Sequence, residues 1–447
     1  MSATLPSDEA MLDSLQRAAF NYFLKNTSPH NGLVADTTRA GSPSSIAVVG
    51  FALSAYPVAV ERGWIERDLA VQRSLAALRF FWTSDQSGNA DATGHRGFYF
   101  HFLDMHSGAR MWQSEVSLID TAFLLAGMLT AAAYFKAENK AECELRELAD
   151  ALYRRVDWRW AQRDGSCVVH GWKPECGFLN YGWEGYSEAI LLYVLGLGSP
   201  THPLTEASFE AWTVTYQWEN LYGHEFLYAG PLFIHQFSHA WIDFRGIRDR
   251  FMREKRCDYF ENSRRAAYVQ RDYAIRNPHS FKGYGQDCWG LSAGDGPSVE
   301  AQMVAGRRQT FYGYAARGAP YGPDDGTIAG SATLATLVFA PEIALPAVRH
   351  LVAQAAPGGG TGIRFGQGFA QGFGQGFGQA LRASGFNASV EEGGHDGWLS
   401  EGEFGLDQGL IVLMIENYRS GLLWRLSRGC SYVQTGLRRA GFRGGWL

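Results

Sequence analysis

The chain has little of what metal, redox, membrane or nucleic-acid chemistry requires. Its six cysteines, Cys143, Cys167, Cys176, Cys257, Cys288 and Cys430, are scattered without a C-x-x-C pair. Neither a zinc cluster nor a dense disulfide framework is indicated, and most of these thiols are expected to be buried. No uninterrupted apolar run reaches the ~18 residues of a membrane-spanning helix. The opening M-S-A-T-L-P-S-D-E-A lacks the basic and apolar regions of a secretory leader. A soluble chain without membrane insertion is expected, while the native compartment stays open, because a processed leader would leave the same sequence. Basic residues number 40 against 45 acidic, and outside pairs such as Arg264-Arg265 and Arg438-Arg439 they form no tract, so nucleic acid is not an expected partner. The stretch F-G-Q-G-F-A-Q-G-F-G-Q-G-F-G-Q at 365–379 has no G-K-[ST] and no preceding apolar strand. It reads as a low-complexity insertion spanning 355–380, not as a phosphate loop.

Rings and carboxyls are plentiful instead. Aromatics make up 14% of the residues, with 14 Trp and 20 Tyr, more than a core of this size needs. Rings with a polar edge wall sugar-binding clefts, so an oligo- or polysaccharide becomes the leading ligand class. The candidate wall rings are Trp112, Trp172, Trp183, Tyr186 and Trp289.

Apolar periodicity predicts helices over 8–26, 45–61, 66–82, 114–136, 140–156, 184–197, 205–218, 231–245, 256–276, 328–340, 341–354 and 405–425. The links after the even-numbered helices are short, while those after the odd-numbered ones are mostly long, so antiparallel neighbours would gather the long loops at one end. Even helices carry the more apolar sequences, for example Ile46 to Val60 and Leu410 to Ile415. Twelve helices in two rings of six, an all-α (α/α)₆ barrel, satisfy both patterns, with the even helices inside. An open superhelix of helix pairs is the alternative, but no repeat period supports it. The alternating G-F-Y-F-H-F-L-D-M at 97–105 predicts a small β-hairpin returning through Gly108. The whole chain, 1–447, reads as a single catalytic domain with a tail at 426–447.

Carboxylates at the starts of inner helices would point into one shared bowl. Glu115 opens the predicted fourth helix and Glu184, in W-E-G-Y-S-E, opens the sixth. Two such groups suit glycoside hydrolysis, which needs a protonated acid and an ionised base. Glu188, one turn after Glu184, is a polar subsite candidate that could also keep its neighbour protonated. Asp104 in the hairpin loop and Asp120 on the fourth helix are further catalytic candidates. Asp120 reads equally well as a carboxylate tying two core helices together. Asp325 and Asp407 precede the tenth and twelfth helices and are base or sugar-ligand candidates, although Asp407 also fits an N-cap. Asp36 reads as a turn residue. His235, His239 and Asp243 stand at i, i+4, i+8, but without the Glu of H-E-x-x-H. No metal and no cofactor is expected there. His235, Asp243, Arg245, Asn262 and Arg264 are taken as groups that bind sugar hydroxyls or brace the inner ring.

With these stretches assembled, the chain resembles the glucoamylase-like proteins that include the β-1,2-glucanases and the related domain of cyclic β-1,2-glucan synthases. The strings that carry the resemblance are P-S-S-I-A at 43–47, G-F-Y-F-H-F-L-D at 97–104 and S-E-V-S-L-I-D-T-A-F-L-L-A-G at 114–127. They continue with H-Q-F-S-H-A-W-I-D-F-R-G at 235–246, Y-F-E-N-S-R-R-A at 259–266, D-D-G-T-I-A at 324–329, F-A-P-E-I at 339–343 and G-L-D-Q-G-L-I-V-L-M-I-E-N-Y-R-S-G-L at 405–422. The resemblance implies an (α/α)₆ fold, no metal, and hydrolysis or transfer of β-1,2-linked glucose with inversion. It also implies that Glu115 and Glu184 are the essential acidic pair. The chain departs from the pattern at S-G-F-N-A-S, 384–389, where relatives carry a Y-G-F-x-D-A-F-N type segment. A glycan-binding protein that had lost the chemistry is the non-enzymatic alternative, against which both glutamates speak.

Overall fold

Residues Ile46 to Val60 carry no charge, and a helix that is apolar all round has no face to offer water. The helix Ile46–Glu61 is accordingly buried from Ile46 to Ala59. Leu118–Tyr134 is its counterpart, and the two meet backbone to backbone. A Cβ on Gly127 would stand 2.1 Å from the Gly50 carbonyl oxygen, and one on Gly50 would stand 2.2 Å from that of Phe123, so only glycine fits either place. Lys140–Arg155 is amphipathic instead. It buries Leu145, Ala149, Leu152 and Tyr153 as one stripe, with Glu142 held by Nε and Nη2 of a bidentate Arg67.

The computed structural model describes residues 7–163, 165–304, 307–354, 385–392 and 395–447; the insertion expected at 355–380 lies outside them. About half of the chain is helical, with several small antiparallel sheets. Among the described residues no helix is long and apolar enough to cross a membrane. Two units are distinguished, and each is described by itself. The first comprises Met1–Ala19, Trp218–Gln236 and Asn262–Tyr418, the second Phe20–Gln217, Phe237–Glu261 and Arg419–Leu447.

The second unit contains the helices above, together with Arg67–Thr83, Ile190–Gly198 and Glu206–Thr213. A five-stranded sheet runs in the order Gly94–His95, Phe98–Phe100, Val116–Ser117, Gly171–Lys173, Gly177–Phe178. The expected hairpin exists in part: Leu103 bridges Arg110, but Phe98–Phe100 pairs with residues 94–95 and 116–117. Residues 426–447, expected as a tail, continue the helix Leu422–Arg428 into Ser431–Arg439. That last helix lies so close to Ile190–Gly198 that a Cβ on Gly436 would stand 1.8 Å from the Val194 carbonyl oxygen. In the first unit, Leu232, Ala267, Trp289, Ala332 and Ile343 share a core. Arg317 pairs there with Asp325 at 2.7 Å, both side chains shielded from solvent. The thiols are less uniform than expected: Cys257 and Cys288 are buried, whereas Cys176 is exposed.

Three predicted helices differ for identifiable reasons. The fourth starts at Leu118, not at 114, because Val116 and Ser117 pair with strands on both sides, and Ser117 caps it. The sixth starts at Ile190, not at 184, because Gly185 takes φ +77° and interrupts W-E-G-Y. The eighth, expected at 231–245, consists of the 3₁₀ turns Leu232–His235 and Ser238–Ala240. Distant donors engage its carbonyls: Ser263 Oγ donates to His235 O, and Trp424 Nε1 to His239 O. The hairpin Trp218–Leu221 with His224–Leu227, turning at Tyr222 and Gly223 with positive φ, occupies sequence read as helix end and link.

Candidate active site

Two adjacent strands set the geometry. Phe100 pairs with Val116, which brings the next residue of one strand, His101, against the preceding residue of the other, Glu115. The His101 amide donates to the Glu115 carbonyl at 2.9 Å. Beyond Val116, the strand Gly171–Lys173 leaves room for the glutamate side chain only because residue 171 is glycine. A Cβ there would lie 2.8 Å from Glu115 Cγ. Asp120 joins from the first turn of Leu118–Tyr134, where Ser117 Oγ donates to its Oδ2.

The His101 ring lies on Phe102, with centroids 3.9 Å apart and planes 14° from parallel. Its Nδ1 is 3.1 Å from Glu115 Oε1 and its Nε2 3.5 Å from Asp120 Oδ2. Burial by itself would lower the imidazole pKa. The charge of Asp120, the hydrogen bond and charge of Glu115, and the charge of Asp36 outweigh burial and lift it to about 9. Glu115 shifts the opposite way: burial pushes it up, but His101 holds it below the usual glutamate value. Asp36 is raised to about 6, mainly by burial, with His101 opposing and Asp120 reinforcing. Glu188 is raised to about 7 by burial and by the charge of Asp120. Glu188 is half-buried, and protein atoms crowd its carboxyl.

Three carboxyls, those of Asp36, Glu115 and Asp120, thus act on one imidazolium, and Glu188 lies within the field of Asp120. Environments that push titratable groups apart mark an acid–base pair. Donor atoms of His101, Glu115 and Asp120 lie within 4.8 Å of one another, the spacing of metal ligands. Here the imidazolium takes the place that a cation would occupy between the two carboxylates.

Aromatic rings flank this group. Trp112, 64% exposed, leans on Phe102 at 5.1 Å, carried by a turn in which both Trp112 and Gln113 have φ above +50°. Trp183 stacks on His170 at 4.1 Å, and His170 lies within the field of Glu115. Trp172 stacks on His95 at 4.7 Å, and Tyr186 is buried against Tyr259.

Other expected site residues stand elsewhere. Glu184 is exposed on a loop before the helix, beside Cys167 and Tyr193, so it does not open a helix. Asp104 accepts hydrogen bonds from the amides of His106 and Ser107 and from Ser107 Oγ; it braces a turn and is held ionised by those donors. Asp243 is buried under Arg245 and Arg428. In the first unit, His235 is a buried, neutral histidine pushed down to about 4 by burial, with Nε2 at 3.1 Å from Ala229 O. Asn262 bonds both backbone groups of Leu227, and Arg264 bonds Phe339 O and pairs with Glu342. Trp289 is core, Asp325 is paired to Arg317, and Asp407 accepts from Ser331 Oγ. Gly290 to Gly294 spells G-x-S-x-G, but Ser292 is buried and its Oγ accepts from the Phe233 amide, so it is no exposed nucleophile.

Sequence reasoning missed His101 and Asp36. Alternation in F-Y-F-H-F-L does put His101 opposite in face to its three phenylalanines, the one available signal; Asp36 offered none.

The profile of the family described as "Putative glucoamylase" matches residues 180–431, more than half of the chain, and the chain belongs to that family. Glu188 falls within the match, whereas Asp36, His101, Glu115 and Asp120 precede it. The chain is 27% identical to an exo β-1,2-glucooligosaccharide sophorohydrolase (non-reducing end) of Parabacteroides distasonis, over 97% of this chain but 58% of that protein's length. Among solved structures, an endo-β-1,2-glucanase from Chitinophaga pinensis, in complex with sophorotriose and glucose, superposes with a TM-score of 0.80 at 27% identity, covering 99% of this chain and 100% of the other. A β-1,2-glucanase from Parabacteroides distasonis gives 0.81 at 26% identity, covering 99% and 61%.

Proposed function

We propose that this chain is a glycoside hydrolase that cleaves β-1,2-linked glucan or sophoro-oligosaccharides with inversion, on an (α/α)₆ arrangement of helices. The observation that carries the reading is a pair of neighbouring carboxyls: Glu188, raised to about 7, near Asp120, which faces the imidazolium. In this reading Glu188 gives its proton to the glycosidic oxygen as the C1–O bond breaks. Asp120 takes a proton from the water that attacks C1 from the opposite side. Glu115, tied to His101, is a positioning carboxylate. Trp112 and Trp183 offer stacking faces to the sugar rings. The order of helices, apolar Ile46–Glu61 and Leu118–Tyr134 each followed by an amphipathic partner, supports the double ring. Relatives named for β-1,2-glucan, matched along nearly the whole chain, support the linkage.

The test is product analysis on a panel of β-1,2-, β-1,3-, β-1,4- and α-1,4-glucans, with the anomer followed by NMR in the first minutes. Hydrolysis of the β-1,2 polymer or oligomers with initial release of the α-anomer is expected. Activity confined to α-1,4-glucan, or initial release of the β-anomer, overturns the reading.

A further inference from the structure

His101 touches both Glu115 and Asp120, and neither proton donation nor water activation uses it. A neutral imidazole carries one N–H and one lone pair, so it can satisfy a carboxylate at only one of its nitrogens. Here both nitrogens face carboxylate oxygens, Nδ1 at 3.1 Å and Nε2 at 3.5 Å. The residue is also held in place. Its backbone is bonded on both sides, the amide to Glu115 O and the carbonyl from the Ile46 amide, and its face is covered by Phe102.

From this geometry we infer that His101 is a positioning residue: a permanent imidazolium whose two N–H groups fix Glu115 and Asp120 in place, allowing an ionised base and a protonated acid to stand near one another. Without that cation, Asp36, Glu115 and Asp120 would repel one another, and each would be driven to take up a proton or swing out. The other ionisable groups that act on the cluster are Lys173 and His170, near Glu115, and Glu188, near Asp120. Lys173 and His170 lie on the Glu115 side, which leaves His101 as the cation between the two carboxylates. The kinetic part of this inference rests on the acid–base reading above, whereas the charge of the ring does not.

The experiment therefore has two arms. In the first, the intact protein is labelled with ¹³C,¹⁵N-histidine, and the signals missing in His101→Gln identify His101. Its ring is expected to remain doubly protonated through pH 8. A ring that titrates below pH 7 overturns the inference whatever the enzyme's substrate. In the second arm, His101→Gln and His101→Asn keep a single donor and lose the charge. Turnover should fall by about a hundredfold, KM should stay within about threefold, and the acid limb of the kcat/KM profile should move up by about one pH unit. His101→Lys, which restores a cation, should return the limb toward its original position. A merely structural histidine would lower the melting temperature in all three variants and leave the limb where it was, which also overturns the inference. If no glycan of the panel is hydrolysed, the function proposed above fails while the NMR titration still decides the charge of His101.

Discussion

Gly127→Ala tests how tightly the helix that bears Asp120 is fixed. The added Cβ would meet the Gly50 carbonyl oxygen at 2.1 Å and the Gly50 carbonyl carbon and Cα at 2.7 Å, against an ordinary contact of 3.4 Å or more. Because the obstacle is backbone on a helix buried from Ile46 to Ala59, no rotamer change relieves it, and the two helices must part by about 1 Å or more. Overpacking of this kind costs about 1–3 kcal/mol, and the loosened contacts on either side add to it. Alanine's better helix propensity returns about 1 kcal/mol. A net loss of about 2–3 kcal/mol corresponds, in a chain of this length, to a fall of about 2–3 °C in melting temperature, read by circular dichroism or calorimetry. Asp120 lies two turns earlier on the same helix, so a shift of about 1 Å should also lower turnover by up to about a hundredfold. Gly50→Ala should behave alike, since its Cβ would stand 2.2 Å from Phe123 O, and the double variant should lose less than the sum. A Gly127→Ala protein that melts within a degree of the parent at full turnover would show that the helices have slack, and the reasoning would fail.

Three further outcomes are expected. Glu188→Gln should lose at least about a hundredfold in turnover while remaining folded, whereas Glu184→Gln, altered on an exposed loop, should stay within about threefold; the reverse order would return Glu184 to the acid's role. Because Glu188 must be protonated to act and is raised to about 7, kcat should decline through an alkaline limb near that pH, a limb that a flat profile to pH 9 would contradict. Arg317→Met leaves the Asp325 carboxylate buried without its partner and should cost about 3–5 kcal/mol in urea unfolding. Asp325 is held below its usual pKa despite burial, chiefly by Arg317, so in the parent this contribution is present above the ordinary carboxylate range and lost as pH falls; the variant should lack that step.

Long periodic segments were legible because their burial follows directly from pattern. Ile46–Glu61, Lys140–Arg155 and Pro341–Gln354 lie within a residue or two of expectation. Helix starts were not, and the candidate site depends on them. Glu184 was read as the first residue of a helix that in fact begins at Ile190, and the one glycine conformation at Gly185 made the difference. The pairing that carries Val116 and Ser117 into a sheet comes from strands whose residues lie about twenty positions before and fifty after, a distance at which no local pattern reports. The same holds for His101, whose meaning comes entirely from two carboxylates that a sheet and a helix cap deliver to it. Composition did point to sugar, since rings and carboxyls were in excess; which of them would meet was a matter of register.

The second unit is drawn from three stretches of chain, and its last helix, Ser431–Arg439, settles on Ile190–Gly198 through Gly436 and Val194. A ribosome makes residue 190 more than two hundred residues before it makes residue 436. Throughout that interval the nine consecutive buried residues from Ile190 to Gly198 lack part of the cover they have in the finished fold. Synthesis from the N-terminus therefore cannot complete this unit piece by piece: the helix that follows Glu188 waits until residues 431–439 have been made, and nascent chains stalled before residue 431 should be sticky and sensitive to protease at that point.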